Sequence, residues 1–132
     1  MDNTNKRVLI VEDDQFLREF YQELLQTEGF LVDVAADGEG AATKLQEGGY
    51  VLVLLDIMLP KKDGMQILRD IKQSPPKNPN GPIVVLTNLG QDAIIKTCFE
   101  LGAAGYLIKS ALNPDQVLTE IHNYLKISSI SG

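Results

Sequence analysis

A doubly wound α/β domain, with one parallel five-stranded sheet covered by helices on both faces, is the fold this sequence predicts. Three observations carry the prediction. Short apolar runs and amphipathic segments alternate along the chain, strand then helix, five times. The apolar runs are aliphatic without polar alternation, as in Val51-Leu52-Val53-Leu54-Leu55, which marks strands buried on both faces. The length, 132 residues, is that of one domain.

The elements follow in order. Arg7–Val11 is a short apolar strand. Gln15–Thr27 is a helix with Phe16, Leu17, Phe20, Leu24 and Leu25 on one face. Gly29 suits a left-handed cap and Phe30 its hydrophobic contact. Leu31–Ala35 is the second strand. Glu39–Gln46 is a helix that starts near Asp37 or Gly38 and stops before Gly48-Gly49. Val51–Leu55 is the third strand, and Met65–Lys72 a helix carrying Ile67, Leu68 and Ile71. Ile83–Leu86 is the fourth strand, Asp92–Leu101 a helix and Tyr106–Ile108 the fifth strand. The last helix opens with Asn113 as N-cap, Pro114 in the first helical position and Asp115 in the first turn; Val117, Leu118, Ile121 and Leu125 are its buried stripe. Residues 1–132 read as a single domain with its core over about 6–126 and a flexible tail over 127–132. The proline-rich stretch Ser74–Pro82 joins two elements and reads as an ordered loop, not a domain linker.

Right-handed crossovers give the strand order 2-1-3-4-5, the flavodoxin-like arrangement. Its switch point lies between the first and third strands, and ligands bind outside the carboxyl ends of strands at such a point. That brings Glu12 and Asp13 beside Asp56. Converging carboxylates repel, so either a cation joins them or at least one pKa rises. Oxygen-only ligands favour Mg²⁺. The chain offers no His/Cys cluster for zinc and no glycine-rich phosphate loop. Thr87 ends the fourth strand with a hydroxyl, and Lys109 the fifth with an ammonium. Three acids, a hydroxyl and an amine suit transfer of a phosphoryl group to a carboxylate.

Composition bounds the setting. The formal net charge of −6 argues against nonspecific binding to nucleic acid or anionic membrane. A single cysteine allows no internal disulfide. No apolar stretch approaches the ~20 residues of a membrane span, and the polar start is no signal peptide. The expectation is a soluble cytoplasmic domain. His122 reads as a surface residue, Cys98 as core, Asp14 and Asp63 as helix caps, and Lys61-Lys62 as a solvated pair.

The segments Val8-Leu9-Ile10-Val11-Glu12-Asp13-Asp14, Leu54-Leu55-Asp56-Ile57-Met58-Leu59-Pro60 with Gly64, Val84-Val85-Leu86-Thr87 and Tyr106-Leu107-Ile108-Lys109 resemble the receiver domains of bacterial two-component response regulators. The resemblance runs in the right order from about Lys6 to Lys126. It implies that Asp56 accepts phosphate from a histidine kinase or histidine phosphotransfer protein. It implies Mg²⁺ bound by Asp13 directly, by Glu12 through water, by Asp56 and by the backbone carbonyl of Met58. Thr87 and Lys109 then contact the phosphoryl group with Asn88 beside them, and Tyr106 is the rotating aromatic of an output face. The implied protein is no turnover enzyme: it catalyses only its own phosphorylation and dephosphorylation. It signals to a downstream protein without touching nucleic acid or membrane, as a monomer or a weak phosphorylation-dependent dimer. Ser110 stands where the family has proline, Asn88 where it has a small residue, and Met58 and Leu89 add apolar bulk at the site. The alternative reading is a non-phosphorylated pseudo-receiver acting as a docking module. A turnover phosphatase with an aspartyl nucleophile would want a second Asp where Met58 stands.

Overall fold

The computed structural model describes residues 5–88, 90–111 and 113–131. Leu89, named above beside the site, lies outside them. The chain alternates β1 (Arg7–Val11), α1 (Gln15–Thr27), β2 (Leu31–Ala35), α2 (Gly38–Glu47), β3 (Leu52–Asp56), α3 (Gly64–Gln73), β4 (Ile83–Thr87), α4 (Asp92–Glu100), β5 (Gly105–Ile108) and α5 (Pro114–Ser131). The strands are parallel in the order β2-β1-β3-β4-β5.

Strand parity sorts the core into two layers. Leu9, Val11, Val53, Leu55 and Val85 point to one face and pack with Ala41 and Leu45 of α2, Ile67 and Leu68 of α3 and Cys98 of α4. Val8, Ile10, Leu52, Leu54, Val84 and Leu86 point to the other and pack with Tyr21 and Leu25 of α1 and Val117 and Ile121 of α5. The three central strands are sealed on both sides, which is why their runs carry no polar alternation.

Caps set the helix starts. The carboxylates of Asp14, Asp37 and Asp63 each accept a backbone N–H three residues on, from Leu17, Gly40 and Gln66. Gly29 has φ 94° after α1, and Phe30 is buried behind it. One expectation is corrected here. Phe16 is 69% exposed while Tyr21 is fully buried, so the inward stripe of α1 runs through Leu17, Tyr21 and Leu25, one turn apart, and Phe16 faces outward. The helix α5 runs on to Ser131 because no glycine or proline interrupts it before Gly132. β3 is also one residue later than expected and takes in Asp56, and β4 takes in Thr87.

The proline-rich loop is stapled beneath the sheet, at the end opposite the acidic rim. Asn80 accepts the Tyr50 N–H (3.2 Å) and donates to the Leu45 carbonyl (3.0 Å), and Gln46 donates to Ser74 (2.8 Å). At the open edge of the sheet, the Tyr124 ring of α5 lies against Gly105, where any Cβ would come within 2.0 Å of its hydroxyl, and that hydroxyl faces the Tyr106 backbone N–H.

Candidate functional site

Glu12, Asp56 and Thr87 are the buried polar or charged side chains among the described residues, and all three stand at the carboxyl ends of the central strands. Three buried polar side chains gathered at one rim mark a candidate site. The parallel register explains the gathering: Val11 pairs with Leu55 and Asp56 with Leu86, so Glu12, Asp56 and Thr87 leave neighbouring strands at one level. Oxygens of Glu12, exposed Asp13 and Asp56 lie within 4.8 Å of one another.

Lys109 reaches across from the end of β5. Its Nζ lies 2.8 Å from Asp56 Oδ2 and 3.0 and 3.3 Å from the Glu12 oxygens. Asp56 Oδ1 accepts the Met58 N–H at 3.1 Å, and Glu12 Oε2 accepts the Asp14 N–H at 3.1 Å. Glu12 Oε1 and Asp56 Oδ2 face the ammonium at ion-pair distance without hydrogen-bond geometry, so each keeps unused acceptor capacity. Burial and then the Asp56 carboxyl push Glu12 up to about 7. Burial also raises Asp56, against the opposing pull of Lys109. Burial alone would lower Lys109, but the two carboxylates outweigh it and hold its pKa up. Three acids against one ammonium leave the pocket short of positive charge, and oxygen donors with spare lone pairs are what a hard divalent cation takes. The residues therefore fit Mg²⁺.

Each residue named from the sequence that lies within the described residues has a definite place. Glu12, Asp13, Asp56 and Lys109 come together. Met58 is held by its N–H to Asp56 while its side chain is 61% exposed at the mouth of a cleft of about 500 Å³ that Asp13 also lines. The Thr87 hydroxyl donates to Gln91 Oε1 at 2.5 Å. Asn88 is exposed, and its backbone N–H donates to the same Gln91 oxygen at 3.0 Å. Tyr106 is on the open edge, 40% exposed, with its ring edge-on to Phe99 at 6.5 Å. No peptide bond among the described residues is cis, the Lys109–Ser110 bond included. His122 is on the surface beside Glu28 and Cys98 is buried, both as expected. Lys61 and Lys62 are not a free pair: Lys61 meets Asp37 at 3.6 Å and Lys62 pairs with Asp70.

Two residues at the site were not singled out from the sequence. Arg18 of α1 donates to the Glu12 and Asp13 carbonyls at 3.0 and 3.3 Å and so ties down the acidic turn. Its signal was an arginine one turn past the Asp14 cap. Gln91, just before α4, holds Thr87, and no pattern in the sequence announces that contact.

The pattern of the response regulator receiver domain matches residues 8–122. The chain is 32% identical over 130 residues to the transcriptional regulatory protein ResD of Bacillus subtilis, covering 98% of this chain and 52% of ResD. It is 38% identical over 123 residues to the CpxR homolog of Haemophilus influenzae, covering 93% of this chain and 52% of that protein. It spans about half the length of these curated relatives. Among solved structures it resembles a CheY-like receiver domain protein from Methanospirillum hungatei, with a TM-score of 0.84 at 27% identity over 96% of this chain and 98% of that one. A putative response regulator from Chloroflexus aurantiacus follows the same fold, with a TM-score of 0.80 at 30% identity over 92% and 98%.

Proposed function

This chain belongs to the response regulator receiver domain family of two-component systems, and from that premise we infer that it is a switch phosphorylated on Asp56. One observation carries the reading: a carboxylate 1% exposed, at the rim of a parallel sheet, meets an ammonium at 2.8 Å and two further carboxylates within 4.8 Å. The donor is a phosphohistidine of a kinase or phosphotransfer protein. An Asp56 carboxylate oxygen attacks phosphorus, the O–P bond forms as the P–N bond breaks, and the imidazole leaves. Asp13, Asp56 and the Met58 carbonyl, with Glu12 through water, would hold Mg²⁺, which would supply charge neutralisation for the phosphoryl oxygens. Lys109 moves from pairing the bare carboxylate to pairing the transferred group. The Met58 N–H orients the attacking carboxylate by holding its other oxygen.

Thr87 turns from Gln91 to a phosphoryl oxygen, and the face formed by α4, β5 and α5, with Tyr106 at its centre, changes shape for a downstream protein. No helix among the described residues is long and apolar enough to cross a membrane, in keeping with a cytoplasmic place beside a kinase. The docking-module reading would want a broken pocket, whereas Glu12 and Asp56 both meet Lys109 and the three acids lie within 4.8 Å of one another.

Incubation of the protein with Mg²⁺ and a small acyl or amido phosphate should add one phosphoryl group, ~80 Da by intact mass. Asp56→Ala should add none, because it removes the carboxylate assigned as the acceptor. A full gain by that variant would refute the assignment.

A further inference from the structure

We propose that Gln91 is a positioning residue that latches the switch in its unphosphorylated state by holding the only proton Thr87 can offer. The inference rests on Thr87 being the phosphoryl-sensing hydroxyl. The assignment of donors is forced by chemistry. The Asn88 backbone N–H can only donate, so the Gln91 side-chain atom 3.0 Å away is the carboxamide oxygen. That same oxygen is 2.5 Å from Thr87 Oγ1, and two oxygens this close need one proton between them, which the hydroxyl alone carries. A phosphoryl oxygen also only accepts. Gln91 and the phosphoryl group therefore compete for one proton, and one must lose it when the other gains it.

The latch reaches further than the loop. Gln91 occupies the N-cap position of α4, with φ −106° and ψ 38°, yet its side chain makes no capping bond and turns back to β4. The helix it precedes has one fully buried residue, Cys98, with Ile94 partly buried against the same core. The carboxamide thus joins buried Thr87 to the residue that opens α4. Releasing Thr87 leaves the Asn88 N–H on the Gln91 oxygen, and the carboxamide loses its bond to the end of β4.

The test compares the parent with Gln91→Met, which keeps length and loses the acceptor, and with Gln91→Glu, which keeps the acceptor and adds charge. Beryllium fluoride with Mg²⁺ serves as the phosphoryl mimic, followed by amide spectra, with thermal melting in parallel. Gln91→Met should bind the mimic about fivefold tighter, the equilibrium worth of one neutral hydrogen bond. Its mimic-free spectrum should already be displaced toward the bound positions at Thr87, Tyr106 and α4, while its melting temperature falls. Gln91→Glu should bind the mimic more weakly. In a Thr87→Ala background, Gln91→Met should change mimic affinity no further. A residue that only supported the fold would lose stability and mimic affinity together, and that result would overturn the latch. Unchanged affinity in Gln91→Met, with a normal mimic response in the parent, would overturn the latch and leave the switch reading standing. No response at Thr87 and Tyr106 in the parent itself would overturn both.

Discussion

At the scale of single residues, the pocket is built against its own stability. Glu12 is fully buried and is pushed up from 4.5 to about 7. Between those values the folded protein holds a proton that the unfolded chain has released, so stability must fall as pH rises through that window. In the metal-free protein, urea unfolding should show stability highest near pH 4.5 and declining to pH 7. Glu12→Gln removes the titration, and should flatten this slope and raise metal-free stability at pH 7. A parent whose stability climbs over that window would contradict the assignment. The acids and Lys109 were legible in the sequence because strand ends fix where they stand. Arg18 and Gln91 were not, because each acts through a side-chain rotamer reaching a neighbouring turn, and residue type and spacing do not encode rotamers.

At the scale of elements, the loop from Ile57 to Asp63 is fastened at both ends. The Gly64 N–H donates to the Ile57 carbonyl at 2.8 Å, and the Gly38 N–H at the start of α2 donates to the Pro60 carbonyl at 3.3 Å. A Cβ on Gly38 would stand 1.8 Å from the Lys62 carbonyl oxygen, a backbone atom that cannot swing aside. Lys61 already holds φ 69° there, unusual for a residue with a side chain. Gly38→Ala should cost about 1–3 kcal/mol as overpacking, read by urea denaturation, and shift the Met58 amide signal. The fold's elements were mostly legible: β1, α1 and β2 lie where periodicity and caps put them. The facing of α1 was misjudged because a tyrosine reads as half polar and a phenylalanine as core. Here the Tyr21 ring fills the sheet-facing position although its hydroxyl finds no partner among the described residues, and Phe16 is left in water. Hydrophobicity ranks residues; the angle around the helix, set by the Asp14 cap, decides which one turns inward.

At the scale of the whole molecule, the proposed Mg²⁺ site predicts that the stability of the domain responds to the cation. A ligand that binds the folded state alone stabilises it by mass action, about 2.7 kcal/mol at one hundred times its dissociation constant. Saturating Mg²⁺ should therefore raise the melting temperature at pH 7 over that in chelator, and Asp13→Ala should lose most of the gain. An equal rise in that variant would remove Asp13 from the ligand set. A doubly wound sheet also has two rims that any other chain can try to extend. On the β5 side the exposed backbone is four residues long, and Tyr124 stands along it at Gly105 and Tyr106. A stray strand from a second molecule meets an aromatic ring where it would need a free amide, so crowding at high concentration finds little there to template a fibril.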